Sequence, residues 1–414
     1  MKERFTFAIL GGGARGQTFA RWLSEHPEAG SVVAIAEPNA ERRQIIAQMH
    51  EIPPAQQFET WEDLLAQPQL ADVIINTLMD RQHAASVIPA LKLGYHMLLE
   101  KPMATTREDC EAIDRVRRET GRIVSVCHSL RYHVVYAELK RLLAAGTIGK
   151  LITFDQLEAV DPAHFTHSFV RGNWSNELRS SFMLLSKSCH DVDVLAHLVD
   201  QPCRRVSSFG SLSYFRSENA PENAPASCLD GCPVEASCAY AAQKIYLRPE
   251  SDWSKFLWTQ QAPHVKTPED KVQYLKASPY GRCVYRCDND VVDHQVVNFE
   301  FEGGITGTFT MASFHLPDTR CIRLQGTEGC LRADLHSNTV EWRRFSDLAN
   351  VRYQLPQQKG THGGADDNLM ANLIRALRAN DPSLVLTTTE DSLASHKIVF
   401  AAELARREGR VVEL

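Results

Sequence analysis

Short apolar runs alternate with amphipathic stretches along the first third of the chain. FTFAIL (5–10), SVVAIAEP (31–38), ADVIINTL (71–78), YHMLLE (95–100) and RIVSVCHS (122–129) read as buried strands. QTFARWLSEHPE, HAASVIPALKLG and EDCEAIDRVRRETG, which lie among them, read as helices. That rhythm predicts a parallel sheet with helices on both faces. Beyond residue 128 the pattern changes. Residues 136–146 predict a helix with Leu139, Leu142 and Leu143 on its apolar side. KLITFDQLEA, RRVSSFGSLSYF, DHQVVNFEFEGG, ITGTFTMASF and RCIRLQGTEG then follow as strands, several parted by GG or EG turns as in an antiparallel meander. TTEDSLASHKIVFAAELARREG closes the chain as a helix that Thr388 or Thr389 can cap. The expectation is an α/β domain over 1–128 and an α+β domain with a mostly antiparallel open sheet over 129–414. The second carries a cysteine-rich insertion at 218–290 and C-terminal helices.

Composition narrows the class. The 414 residues exceed what one core usually serves, and 43% hydrophobic with 23% charged residues is an ordinary globular mixture. A net charge of −6 and no basic run with interleaved aromatics argue against a nucleic-acid partner. No uninterrupted apolar segment approaches the roughly 20 residues of a membrane helix. The apolar run in MKERFTFAILGGG is too short for a signal peptide and enters glycines, so a cytoplasmic protein with reduced thiols is expected.

Candidate chemistry begins directly after the first strand, in GGGARG. Gly11, Gly13 and Gly16 have the G-x-G-x-x-G spacing, for a tight turn, a close approach of pyrophosphate, and helix packed on strand. Glu37 ends the second strand 21 positions beyond Gly16, where a carboxylate meets ribose hydroxyls. This is the pattern of a Rossmann dinucleotide-binding domain. Glu37 favours NAD, because a 2′-phosphate beside a carboxylate is repelled; Arg42 and Arg43 nearby keep NADP open. Arg15 in the loop, with Thr77, His83 and Glu100 at strand ends and turns, completes the expected cofactor set.

In LLEKPMATTRED (98–109), Lys101 follows a strand in the half of the domain able to reach nicotinamide. A lysine beside that positive ring is a usable base for a substrate hydroxyl. Pro102 fixes its backbone and can do so through a cis bond. Later, SKSCHDVDVLAHLVD reads as a helix opening, with His190, Val194 and His197 on one face. His128, Arg131, Lys187 and His362, the last in the glycine loop KGTHGG, are candidate substrate contacts.

ILGGGARG, TLMDRQHA, LKLGYHMLLEKP and SKSCHDVDVLAHL together resemble the glucose-fructose oxidoreductase and inositol dehydrogenase family (Gfo/Idh/MocA) over nearly the whole chain. The resemblance implies a Rossmann domain followed by a sheet domain, and a homodimer or homotetramer. It implies hydride transfer between NAD or NADP and a sugar, cyclitol or related polyol, with Lys101 and His190 as the catalytic pair. The family's supporting aspartate falls on Ser186 and its glycine on Ser188. Either Lys187 or Asp191 supplies the missing charge, or the reaction differs. Two other readings therefore stand beside the dehydrogenase: a redox-neutral glycoside hydrolase or lyase working by transient oxidation, and a dinucleotide-binding sensor.

Five of the 11 cysteines crowd the insertion: Cys228, Cys232, Cys238, Cys283 and Cys287. Their spacing leaves three readings open, namely a structural zinc site, buried free thiols, or redox pairing. C-x3-C-x5-C is not a standard zinc knuckle, and no ferredoxin-like spacing supports an iron–sulfur cluster.

Overall fold

The computed structural model describes residues 3–414. Among these, six short strands run parallel: Phe5–Leu10 (β1), Gly30–Ala36 (β2), Gln57–Phe58 (β3), Val73–Asn76 (β4), His96–Leu99 (β5) and Val124–Val126 (β6). Their order is β3-β2-β1-β4-β5-β6. All of β4 and β6 and the last three residues of β5 are buried, so these strands read as continuous apolar runs rather than as alternation. Strand order reverses between β1 and β4, and the crevice outside their carboxyl ends is where such a sheet takes a ligand. Helix Ala14–Glu25 (α1) follows β1 and buries Phe19, Trp22 and Leu23 against it.

The second sheet has nine strands among the described residues: Leu151–Ala159 (β7), Cys203–Ser211 (β8), His294–Phe301 (β9), Thr306–Ala312 (β10), Thr319–Gly326 (β11), Gly329–Asp334 (β12), Thr339–Arg344 (β13), Asn350–Gln354 (β14) and Val412–Glu413 (β15). Their order is β14-β13-β12-β11-β7-β10-β9-β8-β15. β10 pairs parallel with β7, and the remaining neighbours are antiparallel. Phe154, Gln156 and Glu158 of β7 share the buried face by the strand's period of two. Helix Cys189–Val199 (α2) contributes Val192, Leu195 and Leu198 to the same core. The sequence pattern does not announce β13 and β14. They lie at one edge of the sheet, where only Val340 is buried and Trp342 and Tyr353 are half-buried, so their apolar alternation is short and interrupted by charge.

The C-terminal helices serve both halves. Ala365–Ala379 (α3) buries Leu369, Met370, Leu373 and Leu377 with Phe7, Ile9 and Phe19 of the first domain. Each such side chain contributes about 1.5–3 kcal/mol. Thr389–Glu408 (α4) opens with a capping box of Thr388 and Asp391 and ends at Gly409, φ +63°. Its Val399, Ala402 and Ala405 join the core of the second domain. No helix among the described residues is long and apolar enough to cross a membrane.

Candidate functional site

The glycine loop folds as its spacing predicts. Gly11 has φ +92°, and a Cβ there would meet the Thr77 carbonyl oxygen at 2.7 Å. A Cβ on Gly16 would meet the Gly11 oxygen at 2.1 Å, so only glycine lets α1 start this close to β1. A Cβ on Gly13 would meet nothing within 4 Å, so the loop has open space on that side. Thr77 Oγ1 donates to the Gly11 carbonyl at 2.7 Å, tying β4 to the loop. Buried Glu37 accepts from the Gly12 N–H at 2.6 Å and from the Asn39 N–H at 2.9 Å. Arg43 is drawn to the Glu37 carbonyl. Open space, backbone donors and a carboxylate on the next strand fit a dinucleotide, with Gly11, Gly13, the first turn of α1 and Glu37 as the groups to hold it.

Arg15 does not reach over the loop. Its Nε pairs with Glu100 at 2.6 Å, and its two terminal nitrogens meet Asp366 of α3 at 2.7 and 3.0 Å. Asp366 also accepts from Ser129 at 2.6 Å, from Thr361, and from His362 Nδ1 at 3.0 Å. Burial works against its ionisation, but Arg15 and His362 outweigh this and hold the carboxyl well below its usual range.

Lys101 stands at the carboxyl end of β5, and the Lys101–Pro102 peptide is cis. Its N–H donates to Glu100 at 3.1 Å and its Nζ to the Ser186 carbonyl at 2.5 Å. His190, in the first turn of α2, is buried, and its Nδ1 has no partner. Burial first, then Lys101, His362, His128 and Arg320, hold the imidazole well below its usual range, so the ring is neutral near pH 7. The His362 ring lies 5.7 Å from that of His190. The Ser186 hydroxyl is buried without a partner, so the position where the family pattern has an aspartate is neutral here.

Carboxylates do stand close by, but they are engaged elsewhere. Asp191 accepts from Arg320 at 2.7 and 3.0 Å and from Gln156 at 2.6 Å. Glu158 accepts from Arg320 and from Ser188, both at 2.6 Å, and pairs with Lys187 at 3.5 Å. Burial pushes Asp191 up to about 7 against the pull of Arg320. Glu158 goes the other way, as burial is outweighed by Arg320 and Lys187. The two carboxylates share one guanidinium and behave as a pair.

Other expected residues lie elsewhere. His83 is fully buried, its ring nitrogens against the carbonyls of Pro102 at 2.7 Å and Leu78 at 3.1 Å, where it braces the lysine turn rather than facing the cleft. Arg131, expected at the substrate, instead forms a buried two-point ion pair with Asp193 at 2.7 and 2.8 Å. His128 is enclosed, its ring 5.9 Å from that of His190. Ser129, Glu158 and Arg320 also stand at the candidate site, and pattern reading passed over them. Glu158 and Arg320 had a signal, since each sits at the core-facing phase of a strand otherwise filled by Phe154 or by Ile322 and Leu324.

Among the described residues, no three His, Cys, Asp or Glu side chains stand at the spacing of metal ligands. The expected five-cysteine set is therefore not gathered as one. Cys228, Cys232, Cys238 and Cys283 line one small cavity, and Cys287 is not part of its lining.

Comparison with known proteins agrees with this geometry. Residues 5–128 match an oxidoreductase family described by its NAD-binding Rossmann fold, and residues 140–414 match that family's C-terminal alpha/beta domain. The putative oxidoreductase YteT of Bacillus subtilis (strain 168) is 22% identical over 73% of this chain and 72% of its own. Inositol 2-dehydrogenase of Gluconacetobacter diazotrophicus is 31% identical over 46% of this chain, which spans about half of that enzyme (53%). A levoglucosan dehydrogenase solved in complex with NADH superposes with a TM-score of 0.71 at 16% identity, covering 99% of both chains.

Proposed function

Because the chain belongs to the oxidoreductase family that joins an NAD-binding Rossmann domain to a C-terminal alpha/beta domain, we propose that it oxidises a hydroxyl-bearing carbon of a sugar, cyclitol or related polyol with NAD. The reading is carried by one observation: Lys101, just beyond the carboxyl end of β5, reaches with its amine the Ser186 carbonyl, which lies shortly ahead of the buried, neutral His190 in the first turn of α2. The bound nicotinamide supplies the hydride acceptor. Lys101 takes the hydroxyl proton, and the neutral His190 imidazole orients the same oxygen. In the reverse direction Lys101 returns the proton. Glu37 sets the preference for NAD, and Arg43 does not counter it, because its guanidinium is held by the Glu37 carbonyl. The sugar class is supported by the levoglucosan and inositol dehydrogenases among the similar proteins. Association into a homodimer or homotetramer would use the open face of the nine-stranded sheet, which carries exposed Phe209 and Asn298. The setting we infer is the cytoplasm.

A redox-neutral elimination from a glycoside is the second reading, favoured by the neutral Ser186 where the family pattern has an aspartate. NADH fluorescence on purified protein with NAD+ and a panel of sugars, cyclitols and glycosides tests both. A substrate-dependent rise that Lys101→Ala abolishes supports the dehydrogenase. Glycoside consumed with no rise supports the elimination. Turnover unaffected by Lys101→Ala removes the lysine from either mechanism.

A further inference from the structure

The crevice outside β1 and β4 has two banks, and the second domain is tied to both. One bank is the start of the helix Ala40–His50, which follows Glu37. Its cap, Asn39, donates its N–H to Glu37 at 2.9 Å, and a Cβ on Gly12 would meet the Arg42 carbonyl at 3.4 Å. Glu41, between Asn39 and Arg42, pairs with His264 Nδ1 of the insertion at 2.6 Å. Just ahead of His264, the turn Leu257–Gln261 packs on α1, the helix that opens from the glycine loop. The insertion behind these contacts has a core of its own, with Tyr246, Leu257, Trp258 and Leu275 buried together. Tyr274 packs on that core, its ring 5.6 Å from Trp258 and 6.2 Å from His264. His264 is therefore carried on a packed platform.

The other bank is the turn after β4. Buried Asp80 accepts from Ser180 Oγ at 2.6 Å and from Trp174 Nε1 at 3.3 Å. Arg81 Nη2 donates to the Glu177 carbonyl at 2.9 Å. All three partners lie on the segment 173–181, which leads into the turn whose Ser186 carbonyl takes the Lys101 amine. That segment is bound in turn to the far end of the insertion. Asn176 Nδ2 and the Glu177 N–H donate to Asp290 at 2.9 and 2.8 Å, and Arg179 pairs with Asp288 at 2.6 Å. From Glu41 through the insertion to Asp80, the second domain thus spans the crevice from bank to bank.

A dinucleotide with its ribose at Glu37 and its pyrophosphate at α1 runs along this crevice and lies beneath the span. The two ties differ in strength. The Asp80 side is buried and bonded several times over, whereas the His264 and Glu41 side chains are 54% and 38% exposed. An exposed ion pair adds little, so opening starts there. We propose that the insertion is the outer wall of the dinucleotide site and that the His264–Glu41 pair is its clasp, so that NAD(H) leaves only when the pair parts. The proposal rests on the dinucleotide reading of the glycine loop and Glu37, and is independent of which substrate is oxidised. Release of the coenzyme is then slow against an ordinary turnover of about 10 s⁻¹.

The test uses full-length protein and NADH alone. Hydrogen exchange should slow on NADH binding in three places together: the glycine loop, residues 257–264 and residues 173–181. Stopped-flow fluorescence, with bound NADH displaced by excess NAD+, should give release slower than about 10 s⁻¹. His264→Ala should speed release about threefold to fivefold. Salt at about 0.5 M should speed release more from the parent than from this variant, because only the parent has the pair to screen. Exchanging the pair, His264→Glu with Glu41→His, should restore the parent rate, which a mere loss of packing would not allow. If the exchanged protein does not fold, the salt comparison decides. Protection confined to the glycine loop, release faster than about 10 s⁻¹, an unchanged rate in His264→Ala, or an exchanged pair as fast as His264→Ala would each overturn the clasp and leave the dinucleotide reading standing. A protein that binds no NADH would overturn both.

Discussion

Two trios of charge flank Lys101, and they are made of the same parts. On the dinucleotide side Arg15 joins Glu100 and Asp366; on the sheet side Arg320 joins Glu158 and Asp191. Each has one guanidinium and two carboxylates, yet protons settle differently. Asp366 is held well below the usual range, burial being outweighed by Arg15 and His362. Asp191 is pushed up to about 7, by burial first, with Arg320 opposing and Glu158 adding to the rise. The difference lies in the other donors. Asp366 takes hydrogen bonds from Ser129, Thr361 and His362 besides Arg15, whereas Asp191 has Gln156 besides an arginine it shares with Glu158. One shared arginine does not fix the ionisation of two carboxylates; the donors around each oxygen do.

Lys101 connects the two trios, since its N–H binds Glu100 and its Nζ binds the turn that leads into Ser188 and Asp191. Lys101→Ala should therefore have the largest effect of any single change. It should lower kcat about 10²–10⁴-fold, with NADH affinity from fluorescence titration left near that of the parent. A matching loss of NADH affinity would mean that the lysine holds the fold of the cleft rather than the proton. Next in size is the removal of each arginine. Arg320→Leu leaves Glu158 and Asp191 buried against each other and should cost about 3–5 kcal/mol in urea unfolding. Arg15→Leu should cost less, about 1–3 kcal/mol, because Asp366 keeps its three other donors.

The sheet-side trio should also write itself into the pH dependence of stability. Asp191 is raised in the folded state, so folding favours its protonated form. That contribution is fully present below its unfolded value near about pH 4 and is lost as pH rises to about 7, above which it is flat. Urea midpoints of the parent minus those of Asp191→Asn should accordingly fall through this window and then level. A difference that grows with pH would put the proton on Glu158 instead.

How legible each trio was in the sequence follows from where its residues sit. The glycine loop, Glu37, Lys101 and His190 were readable because short-range spacing places them, each at the end of an element that the apolar pattern marks. Arg15 was readable as a loop residue but not as the partner of Asp366, because that pairing spans nearly the whole chain and depends on α3 docking against the first sheet. His83 and Arg131 were misplaced for the same reason. Their partners, the Pro102 carbonyl and Asp193, are set by tertiary packing that spacing does not encode. The edge strands β13 and β14 left only a short apolar trace, Val340 with Trp342 and Tyr353, among charged neighbours.

The smallest changes test the donor argument most sharply. Ser129 is fully buried and donates to Asp366 at 2.6 Å. Ser129→Ala removes one donor of several, and Arg15 still holds the charge. The cost should be about 1 kcal/mol. Because the Asp366 carboxyl is depressed, its contribution is present above its unfolded value and lost as pH falls through the folded one. Ser129→Ala should thus move acid unfolding only slightly upward in pH. Gln156→Leu removes the one neutral donor that Asp191 has, at 2.6 Å, and also strips the Tyr136 hydroxyl of its acceptor at 2.9 Å. Its cost should be larger, about 2 kcal/mol, and the fall in stability between about pH 4 and 7 should extend to higher pH as Asp191 holds its proton longer. Equal costs and an unmoved window would show that donor number is not what separates the two trios, and would leave depth of burial as the cause.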